Sequence, residues 1–142
     1  MRFVDSNIFL YAFLIPHRAL TREEQRVKDE AKAIVRRIEE GEEVATTTVH
    51  LSEVVNIIET GVSLQRSLGF LAWVITSENV RVYPVTVEDY EGALLIAKDN
   101  NISANDALAH LSMKAQRLRE IYSFDKHFDQ IKDIIRLPSP MP

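Results

Sequence analysis

Four acidic residues stand where they could do chemistry together. Asp5 follows the apolar, strand-favouring pair Phe3 and Val4 and precedes Ser6 and Asn7, so it sits in a polar trio suited to a strand-to-helix turn. Asp125 closes the run Glu120-Ile-Tyr-Ser-Phe124 in the same way. Asp106 lies three residues after Ser103, at the opening of an apolar-periodic stretch. Glu53 shares a segment with the apolar stripe Leu51, Val54, Val55 and Ile58 but is rotated about 200° from Leu51, at about 100° per residue, and points away from it. Each acid also has an ordinary reading: Asp5 as an N-cap, Asp106 as the acid of a capping box, Glu53 as a solvated side chain. In combination they point to one site, because ligands of open α/β sheets bind beyond the C-terminal ends of the strands. Carboxylates gathered there repel one another unless a divalent cation neutralises them.

The elements that must position these acids can be read from periodicity. Strands are expected over residues 1–4, 44–49, 80–85, 120–124 and 134–137. Helices are expected over 8–15, 21–40, 50–60, 63–76, 86–98 and 103–118. Thr21 and Glu24 form a capping-box pattern, and Gly41 ends the helix that carries Val27, Ala31, Ile34, Val35 and Ile38 on one face. The 63–76 helix is apolar on more than one side: Leu64, Leu68, Leu71 and Ile75 form one stripe, with Phe70, Trp73 and Val74 beside it. It belongs either deep in the core or at an interface, and Trp73 reads as core or interface rather than a base-stacking platform. Strands alternating with helices imply right-handed βαβ crossovers. The expected fold class is therefore α/β, a three-layer α/β/α sandwich with a central, mainly parallel sheet of about five strands. Residues 1–137 are expected to form a single domain, with 138–142 a loose Pro-rich tail.

Composition narrows the chemistry. The chain has no cysteine, so a metal site would use carboxylates or the four histidines, and a hard, oxygen-bound ion is expected. Apolar runs fall well short of the roughly 20 residues of a membrane span, and no leader precedes Asp5, so a cytoplasmic protein without membrane partners is expected. With 17 basic and 21 acidic residues, net −4, the chain is not one that holds nucleic acid by bulk charge. Nucleic acid as a substrate stays open, since divalent ions in an acidic site reverse the field a phosphate meets. The basic face of the 21–40 helix (Arg22, Arg26, Lys28, Lys32, Arg36, Arg37) reads as a solvated surface, as do His110 and His127.

Four stretches carry a resemblance that covers nearly the whole chain: Phe3-Val-Asp-Ser-Asn-Ile-Phe-Leu-Tyr11, Thr46-Thr-Thr-Val-His-Leu-Ser-Glu53, Ile102-Ser-Ala-Asn-Asp-Ala-Leu-Ala109 and Tyr122-Ser-Phe-Asp-Lys-His-Phe-Asp129. In order and spacing they resemble the PIN domain, and most closely the VapC-type toxin ribonucleases of toxin–antitoxin pairs. The resemblance implies an acidic quartet on Asp5, Glu53, Asp106 and Asp125, with Asp129 as an outer member and Ser6, Asn7 and Ser123 orienting ligands or water. It further implies one or two Mg²⁺ or Mn²⁺ ions held by Asp5, Asp106 and Asp125, with Glu53 as ligand or water-activating base. The implied reaction is endonucleolytic hydrolysis of RNA to 5'-phosphate and 3'-hydroxyl ends. Implied partners are a second copy of the chain and a small antitoxin protein whose arginine can enter the acidic pocket, with the 63–76 helix as a contact surface. Two departures are mild: the loop at 16–20 is long, and Asn105 stands where some relatives have another acid. The alternatives are an RNA-processing nuclease of the same fold and a catalytically silent, protein-binding PIN-like module. An aspartyl phosphatase is disfavoured by Asn7, which stands where a second catalytic aspartate is expected.

Overall fold

Short apolar segments bracketed by polar turns become the strands, and the longer periodic segments become helices that cover them. A computed structural model describes residues 1–138. Residues 139–142, and with them most of the expected tail, lie outside the described residues. In chain order the elements are β1 (Arg2–Val4), α1 (Ser6–Phe13), α2 (Arg22–Glu39), β2 (Val44–Thr47), α3 (Thr48–Gly61), α4 (Leu64–Thr76), β3 (Val80–Tyr83), α5 (Val87–Asn100), α6 (Ala104–Gln116), β4 (Glu120–Tyr122) and β5 (Ile135–Leu137). A 3-10 turn, Lys126–Gln130, links β4 to β5. The strand order is β3-β2-β1-β4-β5, and every pairing is parallel.

The three central strands are short and largely buried, and the edge strands β3 and β5 are partly exposed. Val4, Val44 and Tyr122 face one side, against Ile8 and Phe9 of α1, Ile34 and Ile38 of α2, Val54 and Ile58 of α3, and Phe70 and Val74 of α4. Phe3, Ala45 and Ile121 face the other, against Ala109 and Met113 of α6 and Phe128 of the 3-10 turn. Helix α5 closes on α6 through Ala93, Ala107 and Leu108. This is the three-layer sandwich the periodicity implies.

Two of the boundaries that differ from the sequence reading lie beside the acids. The β-branched run ends as a strand at Thr47, because the Thr47 side chain accepts from His50 N and starts α3 at Thr48. Strand β4 stops at Tyr122, and the next residue, Ser123, turns its hydroxyl toward the acids. Helix α4 also divides its apolar residues differently. Phe70 and Val74 enter the core, whereas Leu64, Leu68 and Ile75 are exposed, each by half or more. Trp73 packs edge-on or tilted with Phe9, Phe13 and Phe70 at centroid distances of 5.2 to 6.2 Å within that aromatic group. On α2, Arg26 is held by Glu23 and Glu30, and Lys28 donates to the Tyr11 and Leu14 carbonyls, which fastens the end of α1 to α2.

Ile121 is fully buried at the centre of the second core layer. Ile121→Ala is expected to cost about 2–5 kcal/mol of stability, measured by urea unfolding, through lost transfer energy and a residual cavity.

Candidate active site

Parallel pairing of β1 with β2 and β4 brings the C-terminal ends of these three strands to one edge of the sheet. Asp5 leaves β1 there, pinned by a bond from its amide to the Tyr122 carbonyl (2.9 Å). Its carboxylate is 4% exposed and serves two purposes at once. Oδ1 accepts from Ser6 N at 2.8 Å, capping α1, and Oδ2 accepts from the Ser123 hydroxyl at 2.7 Å. Ser123 Oγ in turn accepts from Asp125 N (2.9 Å) and from Asn7 Nδ2 (3.5 Å), while Asn7 Oδ1 accepts from Phe124 N (3.3 Å). The polar residues after β1 and after β4 therefore lock the two strand-end aspartates to each other.

The other two acids arrive on helices. Asp106 comes with the first turn of α6, where Ser103 Oγ accepts from its amide at 3.1 Å. Glu53 comes one and a half turns into α3; Oε1 accepts a short hydrogen bond from the Ser6 hydroxyl, and Oε2 accepts from Asn105 Nδ2 at 2.6 Å. Asp5, Glu53, Asp106 and Asp125 all line one open concavity of about 500 Å³, whose wall also includes Ser6, Asn7 and His127.

No lysine or arginine lines this concavity. Burial pushes the Asp106 carboxyl up to about 7, with Asp125 and Asp5 adding to the effect. Burial also raises Asp5, against the His50 field and the Ser123 and Ser6 hydrogen bonds. Asp106, Asp125 and His127 each offer a ligand atom within 4.8 Å of the others. Four carboxylates on one wall, one of them pushed up toward neutral pH by burial and by its acidic neighbours, fit a hard divalent cation.

The sequence-expected residues divide clearly. Asp5, Glu53, Asp106, Asp125, Ser6 and Asn7 line the concavity, and Ser123 bonds to Asp5 from beneath it. Asp129 does not line it; both its oxygens are taken by Arg136 (2.8 and 3.0 Å), which also holds its carboxyl below the usual range. His127, read from sequence as solvated, has its Nδ1 3.1 Å from Asp125 Oδ1 and 3.7 Å from Asp106 Oδ2 at the rim. His110 points elsewhere: its Nδ1 is buried with no hydrogen-bond partner among the described residues, and burial lowers its pKa.

Sequence reasoning missed His50 and Asn105. His50 is 1% exposed and stacks edge-on against Phe3 at 5.2 Å. Its Nε2 lies 3.1 Å from the Asn105 carbonyl, which can only accept, so Nε2 carries the proton and the Thr47 hydroxyl donates to Nδ1 (2.6 Å). Burial lowers the His50 pKa, in keeping with a neutral ring. The ring thus ties the start of α3 to the start of α6, and Asn105 passes the tie on to Glu53. A signal was present: His50, Val54 and Ile58 recur every four residues, which puts a polar ring on a buried stripe.

These features define an α/β domain with an acidic pocket at the strand ends. Residues 2–134 match the family model of the PIN domain, and the chain belongs to that family. Among solved structures, it is similar to VapC20 of Mycobacterium tuberculosis, a sarcin-ricin loop cleaving toxin, with 22% identity, TM-score 0.66 and coverage of 89% of this chain and 91% of that one. It is also similar to VapBC2 of Rickettsia felis bound to a fragment of promoter DNA (14%, 0.62, 95% and 96%). A toxin-antitoxin complex from Klebsiella pneumoniae is comparable (14%, 0.61, 95% and 96%). A search of curated proteins finds no match.

The raised Asp106 pKa makes stability depend on pH. The fold binds the Asp106 proton more tightly than the unfolded chain does, so metal-free stability should fall as pH rises between 3.8 and about 7, with Asp5 acting in the same direction. Asp106→Asn is expected to flatten this fall and raise the metal-free melting temperature at pH 8, measured by thermal unfolding across pH. His50→Phe is expected to weaken divalent-cation binding about 10- to 100-fold by calorimetry, and His50→Gln, whose amide can still donate to the Asn105 carbonyl, to recover most of it.

Proposed function

We infer that this chain is a divalent-metal-dependent endoribonuclease acting as the toxin of a toxin–antitoxin pair. The observation that carries the reading is the convergence of Asp5, Glu53, Asp106 and Asp125 on one concavity free of lysine and arginine. Membership in the PIN family and the likeness to toxins, one of which cleaves the sarcin-ricin loop, support RNA as the substrate. Asp5, Asp106 and Asp125 would hold one or two Mg²⁺ or Mn²⁺ ions, with His127 at the rim. Bound there, such an ion supplies an activated water and charge relief for in-line displacement at phosphorus.

The chain's own groups do the positioning. Ser123 fixes the Asp5 carboxylate at Oδ2 and the Asp125 backbone at its amide. Glu53, braced by Ser6 and Asn105, presents a carboxylate to accept the proton of the attacking water. The amide at the start of α6 orients Asp106 through Ser103. Before an ion is bound, the protonated form of Asp106 relieves the repulsion among the acids, so loading the site releases a proton.

The partners follow the same reading. A small antitoxin would neutralise the pocket with an arginine, and the exposed Leu64, Leu68 and Ile75 of α4 offer apolar surface for the antitoxin or for a second copy of the chain. The similar structures that are toxin-antitoxin complexes support this. No helix among the described residues is long and apolar enough to cross a membrane.

Purified protein freed of any antitoxin is expected to cut a mixed-sequence RNA with Mn²⁺ or Mg²⁺ and to stop with EDTA. Glu53→Gln is expected to lower kcat at least about 100-fold while the variant stays folded. A folded wild type that cuts no RNA and gains no thermal stability from either ion would instead be a silent, protein-binding PIN module.

A further inference from the structure

Farther along α6 from the acidic pocket lies a second concavity of opposite charge. Both are lined by α6 residues and by residues between β4 and β5, Asp125 and His127 in the first and Lys132, Asp133 and Ile134 in the second. At the sheet's C-terminal edge the first presents Asp106, Asp125 and His127. One helical turn along, His110 enters the second concavity, which has a volume of about 480 Å³ and is lined by Lys114, Arg117, Arg119 and Lys132, with Asp133 as its one acid. Asp106, His110, Lys114 and Arg117 are spaced by four, four and three residues, so they fall on one face of α6 and its end. From Asp106 to Lys114 the helix rises about 12 Å, a span that extended single-stranded backbone covers in a few nucleotides.

Among the described residues none of these four cations is engaged in an ion pair, whereas Arg2, Arg18, Arg26, Arg37 and Arg136 all are. Four uncompensated cations in one basin of a chain with net charge −4 mark a local field that the fold itself does not use. That field reaches His110, whose pKa is lowered by burial and by Lys114.

We propose that the basin formed by Lys114, Arg117, Arg119 and Lys132 holds backbone phosphates of the RNA substrate a few nucleotides from the cleaved bond. This rests on the ribonuclease reading and extends it. A pocket of surplus negative charge binds a polyanion poorly by itself; a basic basin farther along the same helix face supplies attraction and sets the direction in which the strand lies across Asp106. Contacts of this kind carry affinity rather than base specificity.

The test uses the full-length protein carrying Lys114→Gln, Arg117→Gln and Lys132→Gln, with Lys114→Arg and Lys132→Arg as the charge-conserving control. RNA binding is read by anisotropy of a labelled 16-nucleotide RNA in the Asp106→Asn background, and cleavage is read in the otherwise native chain. The triple variant is expected to raise Kd and KM about tenfold or more and to make the salt dependence of log Kd shallower by about 2, with kcat and melting temperature unchanged; the control behaves as wild type. If the wild type cleaves RNA and the triple variant binds and cleaves it equally well, the basin has no part in RNA binding and the inference is wrong. The same holds if only binding of an acidic polyglutamate peptide is lost, which assigns the basin to a protein. If the wild type itself cleaves no RNA, the ribonuclease reading fails, and this one with it.

Discussion

The Ser123 hydroxyl donates to Asp5 and accepts the amide of Asp125, and that pair of bonds holds a buried carboxylate beside a partly exposed one. Burial raises the Asp5 carboxyl and the charge of Asp125 adds to it, so full ionisation of the site without a cation is opposed. The rest of the site follows from accommodating that conflict. Asp5 spends one oxygen on the start of α1 and one on Ser123. Burial, with Asp125 and Asp5 adding to it, pushes the Asp106 carboxyl up to about 7. Glu53 is kept in place by a serine and an asparagine, neither of which brings positive charge. Every neighbour steadies an acid without neutralising it, and the missing positive charge is left for a ligand to supply.

Helix starts provide much of the rigidity. Asp5, Thr47 and Ser103 cap α1, α3 and α6, and each cap lies within the residues that build the site. A cap fixes the direction in which a chain leaves a sheet, so the same bonds that begin these helices aim their first-turn side chains. His50 joins two of the caps: it bonds Thr47 at one nitrogen and the Asn105 carbonyl at the other. The connection runs across the layers of the sandwich, from β2 and α3 to α6. Stability and site geometry are thus supported by a single set of bonds, and loosening one loosens both.

Charge is distributed with the same economy. On α2, Arg26 is tied to Glu23 and Glu30 and Lys28 to the carbonyls ending α1, so these two cations serve the fold. Around the end of α6 the cations remain uncompensated. A chain that is acidic overall can in this way carry an acidic pocket and a basic basin along one helix, since local fields within a few ångströms outweigh net charge once salt screens the rest.

Periodicity was enough to read five strands in a mainly parallel sheet, the helices between them and the location of Asp5 and Asp125 at strand ends, because short β-branched or apolar segments bounded by polar turns alternate with longer segments of helical period. It was also enough to see that Glu53 turns away from its apolar stripe. It could not show that Asp129, expected as an outer member, is withdrawn from the pocket by its pairing with Arg136. Nor could it show that His50 and Asn105, 55 positions apart, meet, or that His127 lies at the rim. Local pattern determines which elements form and which of their faces are apolar. The tertiary structure decided which polar side chains are withdrawn from water together, because hydrogen bonds between distant segments exist only after the sheet has fixed the distance between them.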